Sequence, residues 1–320
     1  MNIGLLVPTG FGSRASGGNV YDRHLLAGLA ARGWEVVVHE LAPGDAVPTD
    51  GVLLVDSLVA SWAAGTLLGA GARAVPLVHM LFGTPGEREL LATAPAVVVT
   101  SAWMRRQVLA DRAVDPRRVV VAVPGTDRAA VAAASRSGQR LLCVGALTRA
   151  KGQHVLLAAL ARCATDDWTC TLVGGVLDED YVDELHKAAA DAGISDRVVF
   201  AGTLDRPALD QAYGSADLVV LPSSAESYGM VVTEALAHGV PVVASAVGGV
   251  PEALGEVGGV RPGMLVRPGD PDALATALER WFADAPLRTW LRRTARQRIA
   301  SLPRWESTAA TVARALEAAR

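Results

Sequence analysis

Short apolar runs alternate along the chain with longer amphipathic segments. The runs are rich in Val, Leu and Ile, which is typical of strands buried on both faces of a parallel sheet. The intervening segments, such as 19–31 and 153–162, carry apolar residues at helical spacing. This alternation predicts repeated βαβ units and an α/β fold. The runs are IGLLV (3–7), EVVVH (35–39), VLLVD (52–56), AVPLVH (74–79), AVVVT (96–100), VVVAV (119–123), RLLCVG (140–145), TCTLVG (169–174), RVVFAG (197–202), DLVVLP (217–222) and VPVVAS (240–245).

One interruption in this pattern indicates a domain boundary. Residues 129–139 are mostly small, with Ser and Gly and no strand-like run, and a fresh strand begins at Arg140. We therefore expect two Rossmann-like doubly wound domains, over residues 1–135 and 136–302. Such sheets bind ligands at the carboxyl ends of their strands, so we expect the domains to face each other across a cleft.

Composition narrows the range of functions. Of the 320 residues 51% are hydrophobic and 20% are charged, which predicts a folded chain with a sizeable core. A net charge of -3 gives no electrostatic attraction for nucleic acid. The longest uncharged stretches, such as 57–72, are too short and too broken to predict a transmembrane segment. The N-terminus has no basic region before its first apolar run, so we expect a cytoplasmic protein.

The cysteines do not predict a disulfide framework or a metal site. Cys143, Cys163 and Cys170 form no C-x-x-C pair and are odd in number. No cluster of His, Cys and Asp has metal-ligand spacing either. We expect structural cysteines and no bound metal.

The most informative segment is 217–251, which predicts a strand, a loop, a helix and a strand. The helix is expected to begin near Gly229 and to end at Gly239. Glu226 lies just before the helix and Glu234 lies on it, and each carboxylate can accept hydroxyl donors of a sugar. The amides at the helix start form a candidate anion site. These amides belong to Tyr228, Gly229, Met230 and Val231.

The same segment carries a family resemblance. The sequence ESYGMVVTE, followed by ALAHGVPVVAS and GGVPE, resembles the signature of family 4 retaining glycosyltransferases, which have the GT-B fold. The resemblance implies that Glu234 binds the ribose hydroxyls of a nucleotide and that Glu226 binds hydroxyls of the transferred sugar. It also implies that the amides from Tyr228 to Val231 bind phosphate oxygens. The structural alternative is two solvated glutamates around an ordinary βαβ turn.

A second match is LLCVGALTRAKGQHVLLAAL at 141–160, which resembles the family's strand, Lys-Gly loop and helix. The resemblance implies that Lys151 contacts the diphosphate, where a positive charge would stabilise the leaving group. The family usually has an arginine directly after the strand's glycine, whereas Ala146 follows Gly145 here. Arg149 is the candidate replacement. Considered without the resemblance, Lys151 and Arg149 are also consistent with ordinary solvent-facing residues.

The first domain also resembles the family. In SRASGGNVYDRHLL, Gly17 and Gly18 would let backbone amides approach a phosphate or a sugar, because glycine has no Cβ. His79 ends the strand AVPLVH, where the resemblance implies contact with the transferred sugar or the acceptor. The alternatives are a plain surface loop and a satisfied core histidine. The other histidines, expected to be structural, are His24, His39, His154, His186 and His238.

The remaining matches complete the resemblance over nearly the whole chain. VPGTD at 123–127 resembles the family's segment before the domain crossing. In RVVFAGTLDRPAL at 197–209, the resemblance implies that backbone at Thr203 and Leu204 contacts the base. It also implies that a final helix, within 303–320, crosses back onto the first domain.

The expected function is that of a retaining glycosyltransferase. It would transfer a hexose-type sugar from a nucleotide diphosphate sugar, most simply UDP- or GDP-linked, to a hydroxyl of a small-molecule, glycan or lipid acceptor. His79, Lys151 and Glu226 are the expected catalytic residues, with neither metal nor other cofactor. Retention would proceed by attack on the same face as the leaving group, because no side-chain nucleophile is evident in the sequence.

Other functions also have to be considered. A non-catalytic binder of nucleotide sugars, or a partner subunit, is consistent with Ala146. A relative that epimerises or hydrolyses a sugar nucleotide is a third reading. A dinucleotide-dependent oxidoreductase is disfavoured because no G-x-G-x-x-G follows the first strand. The helix after Ser101, with Trp103 and Met104 beside Arg105 and Arg106, suggests either peripheral membrane contact or an ordinary amphipathic helix.

Overall fold

The computed structural model describes residues 2–13 and 16–320. The chain divides into two compact units. Unit 1 comprises Met1–Gly125 and Pro303–Arg320, and unit 2 comprises Thr126–Leu302. Each unit contains one six-stranded sheet in which the recorded strand pairs are parallel.

The elements follow one another as alternating strands and helices. Before residue 126 they are β1 (Asn2–Pro8), α1 (Gly17–Ala30), β2 (Glu35–Leu41), β3 (Val52–Asp56), α2 (Ser57–Gly69), β4 (Arg73–Val78), α3 (Pro85–Thr93), β5 (Val97–Val99), α4 (Ala102–Ala110) and β6 (Val119–Val121). Unit 2 contains β7 (Arg140–Val144), α5 (Gln153–Leu160), β8 (Thr169–Val173), α6 (Glu179–Asp191), β9 (Val198–Gly202), α7 (Arg206–Ser215), β10 (Leu218–Leu221), α8 (Met230–Ala237), β11 (Val242–Ser245), α9 (Val250–Leu254), β12 (Gly263–Val266), α10 (Pro271–Ala283) and α11 (Ala285–Arg298). The last element is α12 (Trp305–Ala318), and single 3-10 turns lie at Arg149–Lys151, Ser195–Arg197 and Ile299–Ser301.

The sheet of unit 1 has the strand order β2-β1-β3-β4-β5-β6. Its core joins apolar residues of the strands to α1 and α12. The two helices approach closely at Gly28, where a Cβ would lie 2.5 Å from the Cβ of Ala309. Tyr21 on α1 is buried and donates its hydroxyl to the carbonyl of Ala122 at 2.9 Å. The C-terminal helix is therefore an integral part of the core of unit 1.

The sheet of unit 2 has the strand order β12-β11-β10-β7-β8-β9. Its largest core side chains include Trp168 and Trp281, which are both 1% exposed or less. Trp281 donates its indole N–H to the carbonyl of Gly138 at 2.7 Å. This bond ties the segment before β7 to α10, and it satisfies the polar atom of a buried indole.

The fold class predicted from the sequence is confirmed, since each unit is a doubly wound α/β sheet. All the predicted strand segments contain a strand of the structure. The sequence pattern missed β12, whose four residues are each only partly buried.

The domain boundary differs from the one expected between residues 135 and 136. Unit 2 begins at Thr126, because the segment before β7 is bonded to unit 2. The amide of Ala132 donates to the carbonyl of His238 at 2.8 Å. The amide of Ser135 donates to Asp217 Oδ1 at 2.6 Å. Small residues therefore allow this segment to pack closely instead of forming a free linker.

The helix after Ser101 is an ordinary packed helix. On α4, Met104 is buried and Trp103 packs against the same apolar cluster. Arg105 donates to the carbonyl of Pro116 at 2.9 Å. Both apolar residues thus contribute to the packing of unit 1. Among the described residues, no helix is both long and apolar enough to cross a membrane.

The three cysteines are buried and free, as the sequence predicts. Burial raises the pKa of the Cys143 thiol to about 12, so this group stays protonated at neutral pH. We therefore assign the cysteines to packing.

Both sheets reverse their strand order at one point. In unit 1 the reversal lies between β1 and β3, and in unit 2 it lies between β7 and β10. Helices leave the sheet in opposite directions at such a point, which opens a crevice at the carboxyl ends of the strands. The candidate site residues cluster at these two positions.

Candidate functional site

The loops after β7 and β10 of unit 2 pack directly against each other. Gly152 has a φ of 71°, and a Cβ at this position would lie 2.2 Å from the carbonyl oxygen of Pro222. The amide of Ser224 donates to the carbonyl of Ala150 at 2.9 Å. Only glycine fits this left-handed corner at such a close approach. The Lys-Gly pair of the sequence motif thus places Lys151 beside the loop after β10.

The ammonium of Lys151 forms an ion pair with Glu226. Lys151 Nζ lies 2.6 Å from Glu226 Oε1, which also accepts the hydroxyl of Ser223 at 2.8 Å. The side chain of Glu226 is 12% exposed and that of Lys151 is 32% exposed. An ammonium has three N–H donors, so Lys151 can hold Glu226 and still donate to a ligand.

The Gly-Gly pair after β11 supports the loop that carries Glu226. Gly248 has a φ of 52°, and its Cβ would lie 1.6 Å from the carbonyl oxygen of Glu226. The amide of Gly249 donates to that carbonyl at 3.1 Å. A Cβ on Gly249 would lie 2.4 Å from the carbonyl oxygen of Ser227. The glycines of GGVPE therefore fix the backbone of the site.

The start of α8 presents unpaired amides beside this loop. The helix begins at Met230, after Gly229 with a φ of 95°, and no side chain of the described residues caps it. The first amides of a helix have no intrahelical acceptor, and the helix dipole adds partial positive charge there. This start agrees with the predicted one to within a residue. The uncapped N-terminus is suited to an anion.

Glu234 lies further along α8 and is held by a tyrosine. Tyr213 on α7 donates its hydroxyl to Glu234 Oε2 at 2.7 Å. Burial raises the pKa of Glu234, although the Tyr213 hydrogen bond and the charge of Arg206 oppose the rise. Arg206 in turn pairs with Asp127, and its Nη2 lies 3.5 Å from Asp127 Oδ2.

Three of these neighbours were not identified as site residues from the sequence. They are Asp127, Arg206 and Tyr213. Asp127 ends the VPGTD motif, and Arg206 lies within the RVVFAGTLDRPAL segment, so both motifs contained a usable signal. The sequence held no usable signal for Tyr213, because its partner Glu234 lies on a different helix.

The other residues of unit 2 that were predicted to contact the donor are Arg149, Thr203 and Leu204. The guanidinium of Arg149 forms an ion pair with Glu184 and lies over the ring of Tyr181, 5.4 Å from its centroid. Arg149 is thus engaged with α6, whereas Lys151 pairs with Glu226. Thr203 and Leu204 follow β9, with Thr203 exposed and Leu204 partly buried.

In unit 1, His79 lies between two aspartates at the carboxyl edge of the sheet. His79 Nε2 is 2.9 Å from Asp22 Oδ1 on α1 and 3.6 Å from Asp56 Oδ2 at the end of β3. The Asp22 side chain is fully buried, and its Oδ2 has no hydrogen-bond partner among the described residues. The ring of His79 is 13% exposed. Neither aspartate was identified as a site residue from the sequence.

The aspartates keep His79 charged. Burial disfavours the imidazolium, but the charges of Asp22 and Asp56 and the Asp22 hydrogen bond outweigh it and raise the pKa of His79 to about 9. Burial and the charge of Asp22 raise the pKa of Asp56 to about 6, against the opposing effect of His79. At neutral pH His79 is therefore a cation.

The same three side chains are close enough to be considered for a metal. Their potential ligand atoms all lie within 4.8 Å of one another. The 2.9 Å bond to Asp22, however, occupies the ring nitrogen that would have to coordinate the ion. We call the protonated ring and its two neighbouring carboxylates an ion triad.

Gly17 and Gly18 form the first turn of α1, capped by the side chain of Ser16. A Cβ on Gly18 would lie 3.3 Å from Cδ2 of His79. The glycine therefore leaves space for the ring of His79. Arg14 and Ala15 of the same motif lie outside the described residues.

Two proteins of similar sequence are both named D-inositol 3-phosphate glycosyltransferase. The D-inositol 3-phosphate glycosyltransferase of Mycolicibacterium gilvum is 33% identical over 260 residues, which are 70% of this chain and 58% of that protein. The protein of the same name from Frankia alni is 35% identical over 266 residues, which are 77% of this chain and 63% of that protein. The chain thus spans less than two thirds of the length of either relative.

Comparison with solved structures agrees with the fold. Sucrose-phosphate synthase from Thermosynechococcus elongatus superimposes with a TM-score of 0.81 at 23% identity, covering 98% of both chains. Anabaena Alr3699/HepE, solved in complex with UDP and glucose, superimposes with a TM-score of 0.80 at 20% identity, covering 99% of both chains. At this level of identity the likeness is evidence for the fold.

The family is decided by a match to the segment that builds the unit 2 site. Residues 129–298, just over half of the chain, match the family model for group 1 glycosyl transferases. The matched range includes the Lys151 corner, the Glu226 loop and α8. The chain is therefore a member of the group 1 glycosyl transferase family.

Proposed function

We propose that the chain transfers a hexose-type sugar from a nucleoside diphosphate sugar to an acceptor hydroxyl. The observation that carries this proposal is the combination, at the switch point of unit 2, of the Lys151–Glu226 pair with the uncapped start of α8. Together they offer a cation and free amides for a diphosphate and a carboxylate for sugar hydroxyls. Family membership supports the reaction class.

Most of the donor contacts that we propose lie in unit 2. Glu234, already oriented by Tyr213, would accept the ribose hydroxyls, and backbone at Thr203 and Leu204 would contact the base. Glu226 would accept hydroxyls of the transferred sugar. Lys151 and the amides of Gly229 to Val231 would bind the phosphate oxygens. UDP-glucose is the first donor to test, since the HepE structure holds UDP and glucose.

The chemistry would follow a same-face route with retention of configuration. The bond from the anomeric carbon to the diphosphate oxygen breaks, and the bond from that carbon to the acceptor oxygen forms. The acceptor proton passes to the departing diphosphate oxygen. Lys151 and the α8 amides would stabilise the negative charge that develops on the diphosphate, and this proposal requires no metal.

His79 would act in unit 1, which we propose as the acceptor side. Its charge and its bond to Asp22 make it a poor general base at neutral pH. We propose that it donates a hydrogen bond to a ligand oxygen through Nδ1. The acceptor class is a small molecule, a glycan or a lipid. Because the relatives in Mycolicibacterium and Frankia are named for D-inositol 3-phosphate, this phosphorylated polyol is the first acceptor to assay.

The direct test is a thermal-shift screen against UDP, GDP, ADP and dTDP with their common sugars, because a ligand that binds the folded state raises the melting temperature. We expect one diphosphate series to stabilise the protein. Glu234→Ala should weaken this effect, and Lys151→Ala should lower turnover of the donor that binds. Unchanged donor affinity and rate in both variants would contradict the proposed site.

A second candidate function is a non-catalytic binder of nucleotide sugars or a partner subunit. The observation that favours it is the arrangement around Ala146, where the family's arginine is absent and Arg149 is paired with Glu184. This candidate predicts donor-induced stabilisation without transfer to any acceptor. Single-turnover assays with a stabilising donor and the acceptor panel distinguish the two functions. Products with the donor's anomeric configuration, formed equally well with EDTA, would support the transferase proposal in full.

A further inference from the structure

An arginine-lined groove lies in unit 2 between the segment before β7 and helix α11. Its cavity measures about 660 Å³, and five of the ten residues that line it are arginines. None of the ten is acidic. The arginines are Arg136, Arg288, Arg292, Arg293 and Arg296.

The arginines of α11 share one face of the helix. Arg288, Arg292 and Arg296 are spaced by four residues, so their side chains are neighbours on the helix surface. Like charges at this spacing repel each other. Helix stability alone therefore does not account for the arrangement, and a ligand of opposite charge would relieve it.

The charge of the groove is only partly neutralised within the protein. Arg288 is 8% exposed and donates to the carbonyl oxygens of Trp281 and Phe282 at 2.8 and 2.7 Å. Arg292 lies 3.3 Å from Asp217 Oδ1, but that carboxylate is shared with Arg140 at 3.2 Å.

The pKa of Arg292 is lowered, and neighbouring positive charges contribute to this after burial. Burial lowers this pKa most, Asp217 raises it, and the charges of Arg288, Arg296 and Arg140 lower it further. No ion pair within the described part of the chain involves Arg136, Arg293 or Arg296, and all three side chains are exposed. Three guanidinium groups are therefore available to a ligand.

The groove is separate from the proposed donor site. Arg140 is the first residue of β7, and Asp217 directly precedes β10, so the groove lies at the amino ends of these strands. Lys151 and Glu226 follow the carboxyl ends of the same strands. A five-residue strand such as β7 is roughly 15 Å long, so about this distance separates the groove from the proposed donor site.

We propose that this arginine groove is a second anion site, and that it binds phosphate groups. A guanidinium presents a planar fork of N–H donors that matches two phosphate oxygens, and its charge is permanent. Arg293 and Arg296, with Arg136 across the groove, would hold a ligand with two linked phosphates or neighbouring phosphates on a lipid surface. The shared chemistry is the phosphate anion.

The test is isothermal titration calorimetry of the full chain with inorganic pyrophosphate, at about 0.15 M ionic strength to screen diffuse charge effects. Arg293→Gln/Arg296→Gln removes two groove charges, and Arg267→Gln/Arg280→Gln removes two exposed charges elsewhere in unit 2. Both pairs are also placed in a Lys151→Ala chain, which weakens any binding at the donor site. Melting curves check that each variant is folded.

We expect the groove variant to lose at least tenfold in pyrophosphate affinity in the Lys151→Ala chain, and the control to change by less than twofold. Co-sedimentation with phosphatidylglycerol vesicles, against phosphatidylcholine vesicles, identifies the source of the phosphate. Vesicle binding that is lost in the groove variant would assign a lipid surface, and pyrophosphate binding alone would assign a soluble ligand. Equal losses in both variants, or binding to neither probe, would overturn the proposal.

Discussion

Asp22 is predicted to set the charge of His79, and Asp22→Asn tests this directly. Asn keeps the size of the side chain and can still accept a hydrogen bond from Nε2, but it removes the nearest negative charge. In this variant burial still disfavours the imidazolium, and of the two aspartates Asp56 alone, 3.6 Å away, remains to favour it. We expect the pKa of His79 to fall from about 9 towards, or below, its ordinary value of 6.5.

The size of the effect on stability follows from the shift in pKa. One pKa unit corresponds to about 1.4 kcal/mol, so the rise from 6.5 to about 9 is worth roughly 3 kcal/mol. Because the folded pKa is raised, this contribution is fully present below pH 6.5 and is lost as the pH rises through about 9. Asp56, with its pKa raised to about 6, acts in the same direction but at lower pH.

The assay is an NMR titration of the His79 ring between about pH 5 and pH 10, together with urea unfolding across the same range. The wild type should titrate near pH 9 and lose stability above pH 6.5. His79→Gln should lack that loss. The control is Asp50→Asn, an exposed carboxyl of the same unit, which should leave the titration unchanged.

Two results would refute the reasoning. If wild-type His79 titrates near pH 6.5, or if Asp22→Asn leaves its titration unchanged, the ion triad does not control its charge. A ring that fails to titrate over the whole range, and that titrates only after a chelator is added, would instead indicate a bound metal.

The remaining predictions concern unit 2. Gly248→Ala should destabilise the protein and abolish donor binding, since the added Cβ would overlap the carbonyl of Glu226. The control is Gly258→Ala, which is also at positive φ but has open space around it, so it should show only the milder cost of backbone strain. Urea unfolding and thermal shift with donor compare the two variants, and equal effects would contradict the overlap argument. Tyr213→Phe should weaken nucleotide binding by about tenfold, because it leaves the partly buried Glu234 carboxyl without its 2.7 Å donor. Calorimetry with the nucleoside diphosphate measures this, and unaltered affinity would argue against Glu234 as a ribose ligand.

The fold could be predicted because parallel strands buried on both faces leave an unmistakable pattern. Runs such as VLLVD and VVVAV have no polar face, and amphipathic helices separate them. The exception, β12, is a four-residue strand that pairs only with β11 and is partly exposed throughout. A short edge strand of this kind needs few apolar residues, so the pattern misses it.

The candidate site could be predicted only in part. Lys151 and Glu226 are marked by glycines whose positions the backbone requires, and motif spacing therefore finds them. The partners that tune the site are not marked in this way. Asp22 is 57 residues from His79 and becomes its neighbour because α1 follows β1 and His79 follows β4, and these two strands flank β3 in the sheet. Of the two aspartates beside His79, Asp56 ends its strand at the carboxyl edge, and this position gave a usable signal, as did the motifs that contain Asp127 and Arg206.

The distribution of charge follows from the same constraint in both sheets. The interiors of the central strands are apolar on both faces, so charged side chains lie mostly beyond the ends of these strands. The edge strand β2, which contains His39 and Glu40, is an exception. At the carboxyl ends, unit 1 has the Asp22–His79–Asp56 triad and unit 2 has the Lys151–Glu226 pair. At the amino ends of the strands of unit 2, Asp217 forms ion pairs with Arg140 and Arg292. The strand order differs between the units, yet each places its carboxyl-end cluster at the reversal of the sheet. The position of polar chemistry is thus set by topology, and the choice of side chains there decides what is bound.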